Sequence, residues 1–491
     1  MGNHKPFSSP PAAVMEIFKQ INQIPRPSHH EERIADFLCD YAQKLGLAWR
    51  RDGQNCVVIS KPATPGYEDA EPVVVLNHMD MVCVGMEKPL QDPVSAYEDH
   101  GWMKARGTSL GADNGIGLSM ALAVLADDSV KHGPLEVITT TNEEDGMTGA
   151  AALSPDFIKG RKVINLDSED YDTITTGAAG ATLQVHRFPA GWVQAPGGKR
   201  RWYRIRIDGG KGGHSGVDIN KNRASAVMMA WAVLAAIYNE YDIDLAYINI
   251  GEANASIASS AEVVISAPSG EAAEFVREQE TIFNQWVMEE YGETDPEVRC
   301  HIEKVQPCEK VMAEERFHQF MRCLEQIPQG VIRMSDTMQD TVETSNNVGR
   351  IFVDGDDLVV TTHTRSFIDD EMQNVADEIA QVMKEAGAVS STVMKAPAWQ
   401  ENPDSPFLRM TSDAFDEELG WRPRLVAMHF VLEAGYFVQH YPGIQIASIG
   451  PRIVEPHSTS ERVELSTISD IWRVFLRLLD KLADADPLTL K

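Results

Sequence analysis

Short apolar runs alternate with longer apolar or amphipathic segments in the first third of the chain. Val73–Leu76 is a β-branched run that is typical of a buried strand, and Leu135–Thr140 and Lys162–Leu166 are similar runs further on. Leu118–Asp127, which lies between the first two, has the length and composition of a buried helix. Strands that alternate with helices predict an α/β fold with a doubly wound, mostly parallel sheet.

A different pattern occupies the middle of the chain. After a stretch of small residues at Thr175–Gly180, strand-like segments with helices placed beside them predict an inserted α+β domain. We place the far hinge within Gly387–Pro397, after which the α/β pattern returns. The predicted first domain therefore consists of residues 1–182 and 393–491, and the inserted domain of residues 183–392.

Composition narrows the class of partner and the compartment. A net charge of −29 argues against nucleic acid or an anionic membrane as partner, because both require a basic face. The six cysteines include no CxxC pair, and no run approaches the length of a membrane span. The first residues carry no apolar signal core. We therefore expect a cytoplasmic protein with neither nucleic-acid nor membrane partners.

Polar side chains follow each of the three predicted strands. His78 and Asp80 follow the first, Glu143 and Glu144 the second, and Asp167 the third. In open α/β sheets ligands bind beyond the carboxyl ends of the strands, so these side chains are expected to converge there. A single His–Asp pair after a strand is more often an ordinary surface feature, but three strand ends together favour a functional site.

The ligand types in this set favour divalent metal ions. His78, Asp113, Glu144, Asp167 and His457 offer nitrogen and oxygen without thiolate, which suits zinc, manganese or cobalt and excludes a cysteine-type structural zinc site. Five ligands are too many for one tetrahedral ion with an open position. Two ions that share a bridging carboxylate would use all five, and Asp113 is the natural bridge because it begins a helix.

Glu143 and Glu144 allow a division of labour. On an extended backbone adjacent side chains diverge, so one carboxylate can bind metal while the other takes a proton from a metal-bound water. An acidic run of this kind is in most proteins a solvated loop. Its position directly after a buried strand favours the functional interpretation here.

Several motifs resemble, in order, those of the two-metal peptidases of the aminoacylase/carboxypeptidase G family. They are Asn77–Val82, Ser109–Gly117, Asn142–Gly149, Gly212–Gly216, and Gly450 and Pro451 with Pro456–Ser458. Within that family the chain is most similar to the branch of aminoacyl-histidine dipeptidases, through Gly330–Arg333, Val342–Gly349 and Leu432–Gly435. The resemblance runs from about residue 24 to about residue 479.

The resemblance implies two bound metal ions, with zinc expected and manganese or cobalt as alternatives. It implies that His78, Asp113 and Asp167 hold one ion. It implies that Asp113, Glu144 and His457 hold the second.

The resemblance also implies roles near the ions. Asp80 is similar to the residue that orients His78, and Glu143 to the general base. His214, on the inserted domain, is similar to a lid histidine that steadies the tetrahedral oxyanion. Arg365 resembles a lid arginine that grips the terminal carboxylate of the substrate, a task that suits the bidentate guanidinium. An ordinary strand-end charge is the alternative interpretation of Arg365.

Two further positions concern substrate recognition. Glu433 is assigned on chemical grounds, since an acidic side chain would hold the α-ammonium of a free dipeptide. Asn254 begins the stretch Asn254–Glu262, where family members carry a run similar to Asn-Ala-Ile-Pro-Arg-Glu. The Asn is kept but the Pro and Arg are not, so the lid contacts and the substrate range are expected to differ.

The expected function is a two-metal hydrolase of unblocked dipeptides, Xaa-His dipeptides included, acting as a homodimer on small peptide substrates. A deacylase or a tripeptidase on the same scaffold is an alternative that the shape of the lid would separate. A catalytically silent metal-binding scaffold is a second alternative. It is disfavoured because Glu143 and all five ligands are present.

Overall fold

The computed structural model describes residues 10–486. The helices of this range are α1 (Ala12–Ile21), α2 (Glu32–Lys44), α3 (Ala112–Ala126), α4 (Thr148–Ala151), α5 (Ala226–Tyr238), α6 (Glu271–Tyr291), α7 (Glu314–Gln326), α8 (Asp369–Glu385), α9 (Pro406–Leu419), α10 (Ala434–His440) and α11 (Leu465–Asp484). Within residues 10–486 no helix is both long and apolar enough to cross a membrane. The expected absence of a signal core concerns in part residues 1–9, which lie outside the described range.

The strands are more numerous and mostly short. They are β1 (Ala48–Arg51), β2 (Val57–Lys61), β3 (Val73–His78), β4 (Ala96–Asp99), β5 (Trp102–Ala105), β6 (Leu135–Thr140), β7 (Lys162–Asn165), β8 (Thr173–Ala178), β9 (Gly180–Pro189), β10 (Val193–Gln194), β11 (Arg200–Asp208), β12 (Asp244–Ile250), β13 (Ala261–Pro268), β14 (Arg299–Lys304), β15 (Lys310–Val311), β16 (Gly330–Met334), β17 (Val342–Asp354), β18 (Asp357–Ser366), β19 (Val389–Ala396), β20 (Arg424–Met428), β21 (Gln445–Ser448), β22 (Ile453–Val454) and β23 (Arg462–Glu464).

The chain divides into two compact units. Unit 1 consists of Met1–Gly177, Glu401–Ala427 and Glu433–Lys491, and unit 2 consists of Ala178–Gln400 and Met428–Leu432. The predicted boundaries after residues 182 and 392 differ from these by several residues. The short return of the chain to unit 2 at Met428–Leu432 has no counterpart in the prediction.

The two stretches predicted to contain the hinges include strands, and the change from unit 1 to unit 2 after Gly177 falls within the first of them. Thr173–Ala178 is β8, and Val389–Ala396 is β19. Their small residues permit close backbone approach: a Cβ at Gly180 would lie 2.7 Å from the carbonyl oxygen of Ala396. The small residues at Thr175–Gly180 therefore allow tight packing.

Unit 1 is built on an eight-stranded mixed sheet in the order β1-β2-β6-β3-β7-β21-β8-β20. β3 pairs in parallel with both β6 and β7, and β7 pairs in parallel with β21. Antiparallel strands lie on both sides, since β2 pairs with β6 and β8 with β21 in the antiparallel sense. The α/β class predicted from the sequence is confirmed, and the parallel pairing joins the four central strands.

The core of unit 1 explains why the apolar runs become strands. Every residue of β3, β6 and β7 is buried, as expected for central strands covered on both faces. The apolar helix α3 packs against β3 and β6, and α9 packs against α11. This arrangement leaves the carboxyl ends of the central strands as the place where polar side chains emerge.

Unit 2 is an antiparallel sheet with helices packed beside it. Its strands follow the order β14-β11-β13-β12-β17-β18-β9-β19, and β16 pairs with β17. The helices α5, α6 and α8 contact strands of this sheet. The α+β character expected for the middle of the chain is what this unit shows.

Candidate metal centre

The ends of three neighbouring strands meet at one edge of the unit 1 sheet. In the parallel register His78 lies opposite Thr140, and Leu76 lies opposite Asn165. The residues after Thr140 and Asn165 therefore emerge beside His78. The predicted convergence of the strand-end polar residues is observed.

Asp113 lies between two histidines. The Nε2 atom of His78 is 3.1 Å from Oδ1 of Asp113 and 3.3 Å from Oδ1 of Asp167. The Nε2 atom of His457 is 3.1 Å from Oδ2 of Asp113 and 2.9 Å from Oε2 of Glu144. All five predicted ligands are thus brought together, and His78, Asp113 and Glu144 place ligand atoms within 4.8 Å of one another.

The segment before α3 presents Asp113 to this cluster. Gly111, at the N-cap of α3, adopts a left-handed conformation with φ +67°, which favours glycine. Asp113 and Asn114 have non-helical backbone angles, and the peptide bond between them is cis. The Asn114 side-chain amide donates a hydrogen bond to Asp167, which joins the start of α3 to the loop after β7.

A small four-stranded sheet carries the second histidine. β22 and β23 pair with each other, and β23 pairs with β5. His457 lies in the loop between β22 and β23, at φ +56°. The position of His457 therefore depends on a hairpin more than 300 residues away from Asp113 in the chain.

Asp80 supports the site from behind. Its Oδ1 atom is 3.5 Å from Nδ1 of His78, and its two oxygens accept hydrogen bonds from the backbone N–H groups of Glu143 (3.1 Å) and Glu144 (3.2 Å). The Ser28 hydroxyl donates a further bond of 2.8 Å. Burial opposes ionisation, but the contacts with His78, Ser28 and Glu143 lower the pKa of Asp80 below its usual value. Asp80 therefore holds the loop of the two glutamates as well as facing His78.

The cluster carries excess negative charge in a buried place. Burial and the neighbouring carboxylates raise the pKa of Glu143 well above its usual value, and burial likewise raises the pKa of Glu144 and of Asp167. Hydrogen bonds to Asp113 and Glu144 raise the pKa of His457 to about 11. For His78, burial acts in the opposite direction, but the surrounding carboxylates raise its pKa well above 6.5. Such a site attracts cations.

The residues present fit divalent ions. Oε1 of Glu144 is buried without a hydrogen-bond partner among the described residues. Buried polar atoms of this kind need a partner, and nitrogen with carboxylate oxygen is a suitable ligand set for zinc, manganese or cobalt. A cation would also relieve the repulsion among the carboxylates.

Glu433 lies in unit 1, directly before α10. It is 1% exposed, and its Oε2 accepts a hydrogen bond of 2.8 Å from the Thr140 hydroxyl. Its other oxygen, Oε1, has no partner among the described residues. Burial raises the pKa of Glu433 to about 8, with a further contribution from Asp167. The structure thus places Glu433 at the same strand end as the glutamate loop.

His214 belongs to unit 2, and its protonation state is defined by backbone donors. Its Nδ1 accepts hydrogen bonds from the N–H groups of Gly216 and Val217, both at 3.1 Å. The ring proton must therefore reside on Nε2. Burial, together with the charge of Arg365, lowers the pKa of His214 to about 4. His214 is then a neutral donor at neutral pH.

Arg365 and Asn254 also belong to unit 2. Arg365 is 3% exposed, donates a bond of 3.3 Å to the Ser215 hydroxyl, and pairs with no acidic side chain of the described range. Burial lowers its pKa to about 10. The loop that begins with Asn254 is tied to the His214 loop through a bridge between His214 and Ser256. Arg365, Asn254 and His214 therefore form one neighbourhood in unit 2.

Sequence reasoning missed two buried charges in unit 1, Arg26 and Glu461. They are 1% and 3% exposed, although charged residues are rarely buried unless they are paired. Arg26 stands between two prolines in a stretch without clear periodicity, so nothing local marks it. Glu461 lies four residues after His457, and its closeness to a predicted ligand is the signal that could have found it.

Known proteins resemble this chain along almost its whole length. The model of Peptidase family M20/M25/M40 matches residues 74–481. A cytosol non-specific dipeptidase of Escherichia coli (strain K12) is 33% identical over 483 residues, which cover 96% of this chain and 98% of the relative. The crystal structure of an aminoacylhistidine dipeptidase from Vibrio alginolyticus has a TM-score of 0.90 and 34% identity, covering 97% of this chain and 98% of that one.

A more distant structure shares the fold alone. A tripeptidase from Staphylococcus aureus is 15% identical with a TM-score of 0.55, over 96% of this chain and 98% of that one. The family model spans most of the chain, and the relative from Escherichia coli exceeds 30% identity over nearly all of it. The chain therefore belongs to peptidase family M20/M25/M40.

Proposed function

We propose that this peptidase is a cytoplasmic dipeptidase that uses two divalent metal ions to hydrolyse unblocked dipeptides, Xaa-His dipeptides included. The observation that carries the proposal is the convergence of two histidines and two further carboxylates around Asp113. The dipeptidase names of the two similar proteins support the reaction class. The cytosol named for the first of these proteins and the six cysteines without a CxxC pair support the compartment.

Asp113 is the proposed bridge between the ions. His78 and Asp167 would complete one set of ligands, and Glu144 and His457 the other. When bound, the ions supply Lewis-acid polarisation of the scissile carbonyl and lower the pKa of the attacking water. We propose zinc, and the ligand set also suits manganese or cobalt.

Glu143 is the proposed general base. It accepts a proton from the attacking water through its carboxylate and returns that proton to the leaving amine nitrogen. The raised pKa of its buried carboxyl suits a group that must both take and give a proton. Asp80 accepts a hydrogen bond from the backbone N–H of Glu143 and so fixes the point from which that side chain extends.

Unit 2 is proposed to supply the lid. His214 would donate its Nε2–H to the oxygen that becomes negative when the carbonyl is attacked, and its fixed tautomer supports that role. Arg365 would bind the substrate carboxylate. Its guanidinium is buried and has no acidic partner among the described residues, which supports this role. Asn254, whose Oδ1 has no partner among the described residues, would contact the substrate from the neighbouring loop.

Glu433 is proposed to bind the free α-ammonium. Its Oε1 is unpartnered within the described range, and a cation there would keep the buried carboxyl ionised. A homodimer is also proposed, on the resemblance to the dipeptidase branch, and analytical ultracentrifugation would measure it.

A substrate panel tests the proposal. Metal-free protein is reloaded separately with zinc, manganese and cobalt, and hydrolysis of free dipeptides, N-acyl amino acids and tripeptides is measured. Free dipeptides are expected to be hydrolysed only in the presence of metal. Preference for N-acyl amino acids would indicate a deacylase, and preference for tripeptides a tripeptidase. Stoichiometric metal without hydrolysis of any substrate would indicate a binding scaffold.

A further inference from the structure

The backbone of Gly111 is held by two buried charges, one at its carbonyl oxygen and one at its N–H group. Its carbonyl oxygen accepts a hydrogen bond of 2.6 Å from Nη2 of Arg26. Its N–H group donates a hydrogen bond of 3.1 Å to Oε2 of Glu461. Gly111 precedes Asp113 by two residues, so these contacts lie directly before the carboxylate at the centre of the site.

Arg26 joins the Gly111 segment to the end of β3. Its Nη1 atom donates to the backbone carbonyls of Met79 (3.0 Å) and Asp80 (2.7 Å), and its Nη2 donates to Gly111. The guanidinium thus connects two loops, one of which follows His78 directly. A buried cation with backbone carbonyl partners is costly to form unless the geometry is well satisfied.

Glu461 joins the same segment to the hairpin that carries His457. Oε2 accepts from the N–H groups of Leu110 (2.8 Å) and Gly111, and Oε1 accepts from the N–H of Ala112 (2.8 Å). Three consecutive N–H groups therefore share one carboxylate. Glu461 and His457 lie in one loop, so the carboxylate sets the distance from that loop to Asp113.

We propose that Arg26 and Glu461 are positioning residues that fix Asp113 between the two histidines. Arg26 ties Asp113 to the strand end with His78, and Glu461 ties Asp113 to the loop with His457. Each residue thereby sets the geometry of one of the two proposed ions. This inference rests on the proposed two-metal site. It assigns to Arg26 and Glu461 a role in positioning Asp113 that goes beyond stabilising the fold.

A matched residue separates positioning from stability. Glu136 is also a buried carboxylate in unit 1, and its Oε2 accepts from the N–H groups of Lys159 (2.7 Å) and Gly160 (2.9 Å). It lies near the start of β6, four residues before Thr140 and about 13 Å from the strand end at 3.3 Å per residue. Glu136→Gln therefore removes a similar buried charge away from the site.

The experiment measures metal affinity and site geometry on the full-length protein. Metal-free wild type, Glu461→Gln, Arg26→Lys and Glu136→Gln are titrated with zinc against a chromophoric chelator. The visible absorption spectrum of each cobalt-loaded protein reports the coordination geometry. Melting temperatures of the metal-free proteins report stability separately.

Glu461→Gln and Arg26→Lys are each expected to weaken one zinc by about 10- to 100-fold and to change the cobalt spectrum. Glu136→Gln is expected to lower the melting temperature and to leave affinity and spectrum at the wild-type values. Wild-type affinity in both test variants, or equal weakening in Glu136→Gln, would overturn the proposal. If Glu461→Gln does not fold, Arg26→Lys decides. Failure of the wild type to bind zinc would refute the two-metal site itself.

Discussion

Glu143 and Glu144 are neighbours in the chain with different surroundings. Oε2 of Glu144 lies 2.9 Å from Nε2 of His457. At Glu143, burial and the neighbouring carboxylates raise the pKa of the side chain. Both backbones are held by the carboxylate of Asp80. The two glutamates thus share one support, and we propose Glu144 as ligand and Glu143 as base.

Replacing Glu143 by Gln is expected to leave metal binding intact and to lower kcat by about 10²- to 10⁴-fold, because the amide cannot take the proton. Steady-state kinetics with a free dipeptide and metal analysis of the same preparation would measure both. Glu144→Gln is the matched variant and should lose metal. Turnover within tenfold of wild type in Glu143→Gln would refute its role as base.

At Glu433 the prediction concerns substrate choice. Glu433→Gln removes the negative charge but keeps an acceptor for the Thr140 hydroxyl. We expect kcat/KM to fall by at least about tenfold on free dipeptides, the effect of about 1.4 kcal/mol of lost charge pairing, and to change little on N-acetylated ones. Equal loss on both substrates would contradict the assignment to the α-ammonium.

At the scale of the element, packing at the start of α3 sets the distance between Asp113 and the loop of Asp167, both of them proposed ligands. A Cβ at Gly117 would collide with the carbonyl oxygen of Leu166 and with the side-chain oxygen of Asn114. Leu166 precedes Asp167 directly, so α3 packs against the very segment that presents this carboxylate. Gly117 therefore permits close packing between the start of α3 and the segment that presents Asp167.

Gly117→Ala is expected to destabilise unit 1 by about 1–3 kcal/mol, since the added methyl forces the helix away from the loop. Urea denaturation with and without zinc would show the loss and a weaker effect of the metal. Gly53→Ala is the control, because a Cβ there meets nothing within 4 Å. An unchanged unfolding midpoint in Gly117→Ala would show that the helix adapts without cost.

At the scale of the whole molecule, the histidines of the candidate metal site differ in their surroundings from the buried histidines of unit 2. In unit 1 carboxylates raise the pKa of His78 and His457. In unit 2 burial lowers the pKa of His186 to about 4, and that of His363 and His429 to about 3. Unit 2 therefore contains several histidines that are neutral when folded and that protonate when unfolded.

His186 makes the free energy of unfolding depend on pH in a direction that can be measured. It is fully buried between the hydroxyls of Ser390 (2.8 Å) and Thr362 (3.0 Å). Its folded pKa lies below the unfolded value near 6.5, so its contribution to stability is complete above pH 6.5 and is lost as the pH falls toward 4. Between pH 6.5 and 4.5 the loss is on the order of 2 kcal/mol.

His186→Gln should therefore show a smaller loss of stability between pH 6.5 and 4.5 than the wild type. Urea denaturation of the full-length protein at each pH measures this. His301→Gln, at a half-exposed position of the same sheet, is the control for replacing a histidine there. A wild-type pH profile in His186→Gln would contradict the assignment.

Much of the site was predictable because its signals are local. The β-branched run before His78 identifies a buried strand from neighbouring residues alone, and the rule for parallel strand ends places Glu144 and Asp167 beside it. The predicted strand Leu135–Thr140 and helix Pro406–Leu419 have the observed bounds.

The sequence by itself determined the class of each unit, the ligand types and the edge of the sheet at which they gather, because periodicity and strand ends depend on nearby residues. Only the tertiary structure decided that Arg26 and Glu461 are buried, that the small-residue stretch before Gly180 is a strand, and that antiparallel strands flank the parallel centre. Glu461 meets Gly111 across 350 residues of chain. A charge becomes buried through partners that folding brings from distant segments, and no local pattern records them.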